Sequence, residues 1–375
     1  MPTLCMVHEG IGNYSAIARV AASGVRQALA AGWRVTVVAE RLDESLAKQV
    51  EWLKLYVPRK VFAVKWLVAR SAIRAAMGGR TFDVVHVHQP QVASLADVMQ
   101  CHYLTRAAYE YDCLEQGDTL RSRLTRLQEL VVLRAEDYYF RRWNPATHML
   151  FDSALTQSEF NRMYGPPAKQ DVLLYPFPPA RIPSAGERLE ARRKMVGERQ
   201  GTVVGYLGGI QERKGYRRLV EAVKADPGLV LLMGGQYTDA FTDADLGDRL
   251  VTRGLVDDLA TFYAACDVFA IPSRFEPFGL VAFEAAARGV PVIGTAEVGA
   301  LPHLAEFGAG RTWDPGTPLG NVAREMAADR DRCAAIAGRL EDEYCEGSYG
   351  HRLLAVYDKV LRLKKRASAP ILAAE

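Results

Sequence analysis

The sequence is poor in several features, and each shortage removes a class of protein. It has no run of about 18 or more uninterrupted apolar residues and no signal-peptide pattern at its start, so a soluble or at most membrane-associated chain is expected. Its six cysteines, Cys5, Cys101, Cys113, Cys266, Cys333 and Cys345, include no CxxC pair and no zinc spacing, which fits reduced thiols in a cytoplasmic protein. Lys and Arg number 47 against 44 Asp and Glu, a net charge of +3, too small a surplus for a nucleic-acid partner. No internal repeat is visible. What the chain does have is length: 375 residues allow two domains, each with its own core.

The most informative stretch runs from Asp267 to Gly294. Asp267 to Pro272 reads as a buried strand, Ser273 to Gly279 as the turn that ends it, and Leu280 to Arg288 as a short helix stopped by Gly289 and Pro291. Val290 to Gly294 begins the next strand. Such a unit belongs to a parallel sheet, where ligands bind outside the carboxyl ends of the strands. The amides of Gly279, Leu280 and Val281 at the helix start suit an anion such as a diphosphate. Glu284 leans back toward them, to where a ribose diol would lie. Glu276 faces the same pocket from the loop, to meet whatever the diphosphate carries.

Ser273 to Val292, SRFEPFGLVAFEAAARGVPV, sets Glu276 and Glu284, with seven residues between them, in a Phe-Gly, Glu-Ala and Gly-Val-Pro-Val frame. The stretch resembles the signature of retaining GT-B glycosyltransferases of the GT4 type (glycosyl transferases group 1), which use nucleotide-sugar donors. The resemblance implies an α/β fold of two Rossmann-like, doubly wound domains facing a central cleft. An acceptor-side domain would span 1–178 and a nucleotide-sugar-binding domain 179–348, with a last helix over 349–366 crossing back and a tail over 367–375. The resemblance also carries Phe278 into the donor site.

The N-terminal half alternates strands and helices. Strands are expected over Thr3–His8, Arg34–Ala39, Leu53–Val57, Phe82–His88 and Asp97–His102, with a helix over Ile17–Ala31. The loop Glu9 to Ser15 has two readings, a plain tight turn or a loop that binds phosphate or sugar; the resemblance brings Gly10 and Gly12 to the cleft. His86 alternates with apolar residues and reads as packed, whereas His88 and Gln89 lie at a strand end. His102 ends the following strand, and the resemblance implies that it touches the donor sugar. A metal held by His86, His88 and His102 would lack a carboxylate or cysteine at diagnostic spacing.

From Lys54 through Arg59, Lys60, Lys65, Arg70, Arg74 and Arg80 the charged residues are all positive, with Phe62, Trp66, Leu67, Ile73 and Met77 between them. Two readings stand, a sheet-packing helix with a solvated basic edge or a surface that lies on anionic lipid. Tyr103 to Trp143, rich in arginine, is longer than a crossover needs and is assigned to the acceptor side. Ser158 is the expected N-cap of the next helix. The cluster Pro176, Pro178, Pro179 and Pro183 marks the domain boundary.

The second domain opens with a strand, Thr202–Leu207, followed by Gly208-Gly209-Ile210-Gln211-Glu212-Arg213-Lys214-Gly215. Two adjacent cations at a helix start can reach a diphosphate. In the resembling family an arginine commonly follows the first glycine. Gly209 stands there in this chain, Lys214-Gly215 matches, and Arg213 substitutes from next door. Leu229–Gly235 is the next strand, and Arg253-Gly254-Leu255 falls at the family's base-binding loop. Asp239, Asp243, Asp245 and Asp248 lack calcium-loop spacing and read as a solvated loop. Helix dipole and cations can neutralise the phosphates, so no metal and no cofactor are expected. Glu297 to Pro302 lies where it could touch the sugar.

The activity these readings imply is transfer of a sugar from a nucleoside diphosphate sugar to an acceptor hydroxyl with retention. Glu276, His102, Lys214 and Arg213 would serve the reaction. Glu284, Phe278, the Gly279 to Val281 amides, Gly209, Gly10, Gly12, Arg253 and Gly254 would hold the donor. The alternatives are a nucleotide-sugar or partner-binding protein without turnover, and a nucleotide-sugar epimerase.

Overall fold

The computed structural model describes residues 1–57, 62–111, 119–177 and 179–368. The chain forms two compact units. The first holds Met1–Arg106, a stretch ending at Pro176 and the C-terminal helix Glu346–Ser368; the second holds Phe177–Cys345 and a short piece starting at Ala107. That piece precedes the Pro-rich boundary read from sequence, and the last helix starts at Glu346 instead of 349.

In the first unit the strands are β1 (Thr3–Val7), β2 (Arg34–Ala39), β3 (Glu51–Lys54), β4 (Val84–Val87), β5 (Val98–Cys101), β6 (His148–Phe151) and β7 (Gln170–Val172). They form a parallel sheet in the order β3-β2-β1-β4-β5-β6-β7. Parallel neighbours require crossovers that bury both sheet faces, and β1 and β4 are accordingly buried apart from Thr3, and apolar apart from Thr3 and His86. The helices include α1 (Ala16–Ala30), α2 (Phe62–Met77), α3 (Leu120–Phe140) and α4 (Ala154–Tyr164). α1 packs against the C-terminal helix, and a β-carbon at Gly24 would lie 3.1 Å from Met6 Cε and 3.2 Å from Leu353 Cδ2. β3 begins at Glu51, earlier than the expected Leu53, because its register is set by β2, with Thr36 opposite Glu51 and Ala39 opposite Lys54. The N-cap of α4 is Ser153, whose hydroxyl accepts from the Thr156 amide at 3.1 Å. Ser158 lies inside that helix and donates to the Leu155 carbonyl, so the cap expected there is corrected.

In the second unit the strands are β8 (Thr202–Leu207), β9 (Leu229–Gly234), β10 (Leu250–Thr252), β11 (Val268–Ile271), β12 (Val292–Gly294) and β13 (Gly310–Thr312). Their parallel order is β10-β9-β8-β11-β12-β13. α5 (Ala185–Val196) opens the unit with a capping box between Ser184 and Glu187. α6 (Tyr216–Lys224) buries Leu219, Val220 and Val223, one face of a helix at i, i+1 and i+4, into a core with Val204, Leu231 and Ile293. α7 (Leu280–Ala286) is shorter than expected, but Gly289 still turns the chain at φ +73, with Val290 N–H donating to Ala285 O at 3.1 Å. The strand order reverses at β8, whose two neighbours are β9 and β11. The loops leaving β8 and β11 therefore open side by side at the carboxyl edge, where parallel sheets leave room for ligands.

Candidate functional site

These two loops bring together residues far apart in sequence. The loop after β8 ends in a turn over Glu212–Lys214 closed by Gly215 at φ +67. A β-carbon on Gly215 would sit 1.8 Å from the Pro272 carbonyl oxygen, so only glycine lets this turn lie against the end of β11. Arg274 N–H donates to Arg213 O at 2.9 Å and locks the loops together. Lys214 Nζ then forms an ion pair and hydrogen bond with Glu276 Oε2, and Arg213 Nη1 lies 3.7 Å from the same oxygen.

Burial pushes the Glu276 carboxyl up, but Lys214 and Arg213 outweigh burial and hold it below the usual carboxylate range. Glu276 is therefore an anion carried by two cations. Its backbone is equally fixed: Glu276 N–H donates to Glu297 O at 2.9 Å, and Glu276 O accepts from Gly299 N–H at 2.9 Å. Ser273 also hydrogen-bonds the Glu276 side chain, and Thr295 Oγ1 donates to Ser273 O at 2.5 Å. Ser273, Thr295 and Gly299 escaped sequence reasoning as supports, because nothing in their local sequence announces a bridge between Glu276 and Val298. Of the segment Glu297–Pro302, the backbone of Glu297 and Gly299 is what reaches Glu276.

Gly279 caps α7 at φ 90, ψ 57, and a β-carbon there would crowd Val298 Cγ1 at 3.2 Å and Glu276 Cγ at 3.3 Å. Leu280 and Val281, half-exposed, begin the helix, while Phe278 is buried and stacks on Phe283. Glu284 is only 6% exposed, and its Oε2 accepts from Tyr263 Oη at 3.2 Å. Burial and the facing carboxylate together push the Tyr263 hydroxyl well above its ordinary range. Tyr263 is a further site support that sequence reasoning missed.

Gly209 lies on the same loop as Lys214, its carbonyl accepting from Tyr206 Oη at 2.9 Å. A β-carbon at Gly209 would meet nothing nearer than Gln211 Nε2 at 3.5 Å. Arg253 directs its guanidinium to the Met195 carbonyl at the end of α5. Gly254, at φ +59, accepts from Gly235 N–H at 2.6 Å. The aspartate loop is tied to a cation: Lys224 Nζ lies 2.9 Å from Asp243 and 3.3 Å from Asp245.

The remaining candidates belong to the first unit. Gly10 lies in a two-residue strand, Gly10–Ile11, paired with Arg41–Leu42. Gly12 takes φ +141, and a β-carbon there would lie 2.9 Å from Asp43 Cβ. His102 is buried in a chain of polar groups. Tyr175 donates to Asp152 Oδ2 at 3.2 Å, which uses its single proton, so the contact between His102 Nδ1 and Tyr175 Oη is donated by His102. His102 Nε2, left bare in the neutral ring, accepts from His88 Nδ1 at 2.7 Å. The His88 and His102 rings stack at 4.9 Å, and His86, fully buried, stacks on His88 and meets Tyr357 Oη at 2.7 Å.

Residues 201–328 match the family model described as Glycosyl transferases group 1. The chain is similar to the D-inositol 3-phosphate glycosyltransferase of Mycolicibacterium smegmatis, 27% identical over 307 residues that cover 75% of this chain and 68% of that protein. It is also similar to the lipopolysaccharide core biosynthesis glycosyltransferase LpsE of Rhizobium meliloti, 39% identical over 156 residues, 40% of this chain and 46% of the relative. The matched stretches thus span about two thirds of one relative and less than half of the other. Among solved structures, Anabaena HepE in complex with UDP-glucose matches with a TM-score of 0.68 at 16% identity, over 96% of this chain and all of that one. This is a likeness of fold.

Proposed function

We propose that this chain, whose residues 201–328 match the glycosyl transferases group 1 model, belongs to that family and transfers a sugar from a nucleoside diphosphate sugar to an acceptor hydroxyl. The observation that carries the proposal is the convergence of Lys214 and Arg213 on Glu276 at the carboxyl edge of β8 and β11. Two cations beside a fixed carboxylate suit a diphosphate joined to a polyhydroxylated ring. The cations would take up the charge that develops on the leaving diphosphate, and Glu276 would orient sugar hydroxyls. The amides of Gly279 to Val281 would add donors to the phosphates, and Glu284, steadied by Tyr263, would meet the ribose.

In this reading the transfer is retaining and metal-independent. No side chain is assigned as a covalent nucleophile; a phosphate oxygen helps take the acceptor proton as the new bond forms on the face the diphosphate leaves. The resemblance adds His102, Gly10 and Gly12 from the first unit. A second reading, nucleotide-sugar binding without turnover, is favoured by one departure, the glycine at position 209 where the family commonly has arginine. Assay of sugar transfer or release from the donor separates the two.

The site itself is tested by thermal unfolding with UDP, GDP, TDP and ADP in turn. At about 100 times its dissociation constant a ligand adds roughly 2.7 kcal/mol, a shift of a few degrees. One nucleotide is expected to raise the midpoint of the wild type and of Glu276→Ala, but not of Lys214→Met or Glu284→Ala. Glu276→Ala is expected to lose turnover while keeping that shift. If no nucleotide shifts the wild type, or both binding variants shift like it, the assignment fails.

A further inference from the structure

The basic stretch of the first unit is largely held within the fold. Lys65 lies 2.7 Å from Glu9 and 2.6 Å from Glu40, and Arg80 lies 3.2 Å from Glu51. Arg59 and Lys60 lie outside the described residues, and among the described residues no helix is long and apolar enough to cross a membrane. The second unit gathers arginines around a cavity instead.

This cavity, of about 420 Å³, opens at the amino edge of the second sheet. Arg192 fixes its place: Nη1 lies 2.9 Å from Oδ2 of Asp267, the residue before β11, and Nη2 donates at 2.7 Å to the carbonyl of Gly201, the residue before β8. Lys214 and Glu276 lie at the other edge of the same sheet. Ala185, Ala264, Ala265, Ala327 and Ala328 line the cavity, and side chains this small leave room between the helices. Three arginines line it too, and they are not equivalent. Arg192 is matched by Asp267, whose Oδ2 also accepts from Val203 N–H at 2.7 Å. Arg330 is only 9% exposed and donates to the carbonyls of Cys266 and Ala264, neutral groups that leave its charge uncancelled. Arg188 is partly exposed, and the carboxylate it pairs with, Asp331 at 3.5 Å, is 92% exposed. Burial and the Arg188 charge together hold the Arg330 guanidinium below its usual range, so these two cations repel. The helix Arg330–Tyr344 begins here, and the positive end of its dipole adds to them.

We propose that this cavity binds a phosphate monoester, with the phosphate held between Arg188 and Arg330 and the organic body against the alanines. Guanidinium forks match the paired oxygens of a phosphate, and an anion between the two cations relieves their repulsion. The room argues for more than free phosphate, because about 420 Å³ falls in the range of sites for small organic molecules. Asp267 does not oppose the anion, since Arg192 and the Val203 amide already hold its carboxylate. Asp331, out in water, screens Arg188 only weakly. The site shares no residue with the Lys214 and Glu276 loops and does not rest on the sugar-transfer reading.

The test is titration calorimetry of the full chain with glycerol 3-phosphate, inorganic phosphate and glycerol at constant ionic strength. Glycerol 3-phosphate is expected to bind both the wild type and Lys214→Met, which sets the anion apart from the diphosphate loops. Inorganic phosphate is expected to bind more weakly, and glycerol not at all. Arg188→Gln removes a charge-assisted contact and should weaken glycerol 3-phosphate binding by about tenfold or more. Ala328→Leu, which fills the cavity at unchanged charge, should weaken it as well. Arg193→Gln, on the same helix as Arg188 but outside the cavity, should bind as the wild type does. No binding to the wild type or to Lys214→Met, undiminished binding by Arg188→Gln or Ala328→Leu, an equal loss in Arg193→Gln, or inorganic phosphate binding as tightly as the ester would overturn the proposal. Arg188, Arg193 and Ala328 all reach solvent, and an unchanged thermal midpoint without ligand shows that each variant is folded.

Discussion

Gly209 and Gly215 belong to one loop but make opposite demands. At Gly215 the positive φ, and the 1.8 Å that would separate a β-carbon from Pro272 O, leave no place for a side chain, whereas at Gly209 a β-carbon finds only ordinary contacts. Gly215→Ala is therefore expected to cost about 3 kcal/mol or more, and Gly209→Ala less than about 1 kcal/mol. Urea unfolding of the two variants checks this, and equal stabilities would show that the Lys214 turn does not depend on its approach to β11. Lys214 and Glu276 were both legible as charged residues in Gly-bearing loops, yet their pairing was not. It follows from β8 and β11 being neighbours, a fact of strand order that no local stretch records. The same holds for Tyr263, which lies on another helix and meets Glu284 only in the folded unit.

Elements were easiest to read where a single physical signal stood alone. The apolar runs Arg34–Ala39 and Thr202–Leu207 became strands with those limits, because nothing nearby offered a competing end. Phe151 to Glu159 offered two serines, and the choice between them depended on where β6 stopped. Pairing of Phe151 with Val172 ends that strand just before Ser153, so Ser153 takes the cap. Removing it should cost about 1 kcal/mol, whereas Ser158→Ala, which removes only a hydroxyl bonded back to Leu155 O, should be within about 0.5 kcal/mol of the wild type. Chemical unfolding of the two alanine variants distinguishes the assignments, and the reverse order of effects would return the cap to Ser158.

For the molecule as a whole, the buried histidines set how stability depends on pH. Burial drives His86 down to about 3, and burial with the neighbouring histidines holds His88 and His102 well below their ordinary range. His8, His148 and His303 are lowered by burial as well, His8 with Lys65 and Arg41 opposing Glu9 beside it. Each of these groups titrates near 6.5 once unfolded. Below that pH the unfolded chain takes up protons that the folded chain refuses, so the stability present at neutral pH is lost as the pH falls. Each fully buried ring contributes a slope of about 1.4 kcal/mol per pH unit. Glu136 opposes them. Burial raises its carboxyl to about 7, so the folded state holds a proton that the unfolded state releases, and acidification from 7 toward 4.5 favours folding at this one site. Three strongly shifted histidines against one carboxyl leave a net loss on acidification. The expected result is a urea midpoint that falls steadily from pH 7 to pH 5, with a shallower fall in His86→Gln, by about 1.4 kcal/mol per pH unit. Midpoints that stay level over that range, or an unchanged slope in His86→Gln, would mean that the ring takes its proton inside the folded unit.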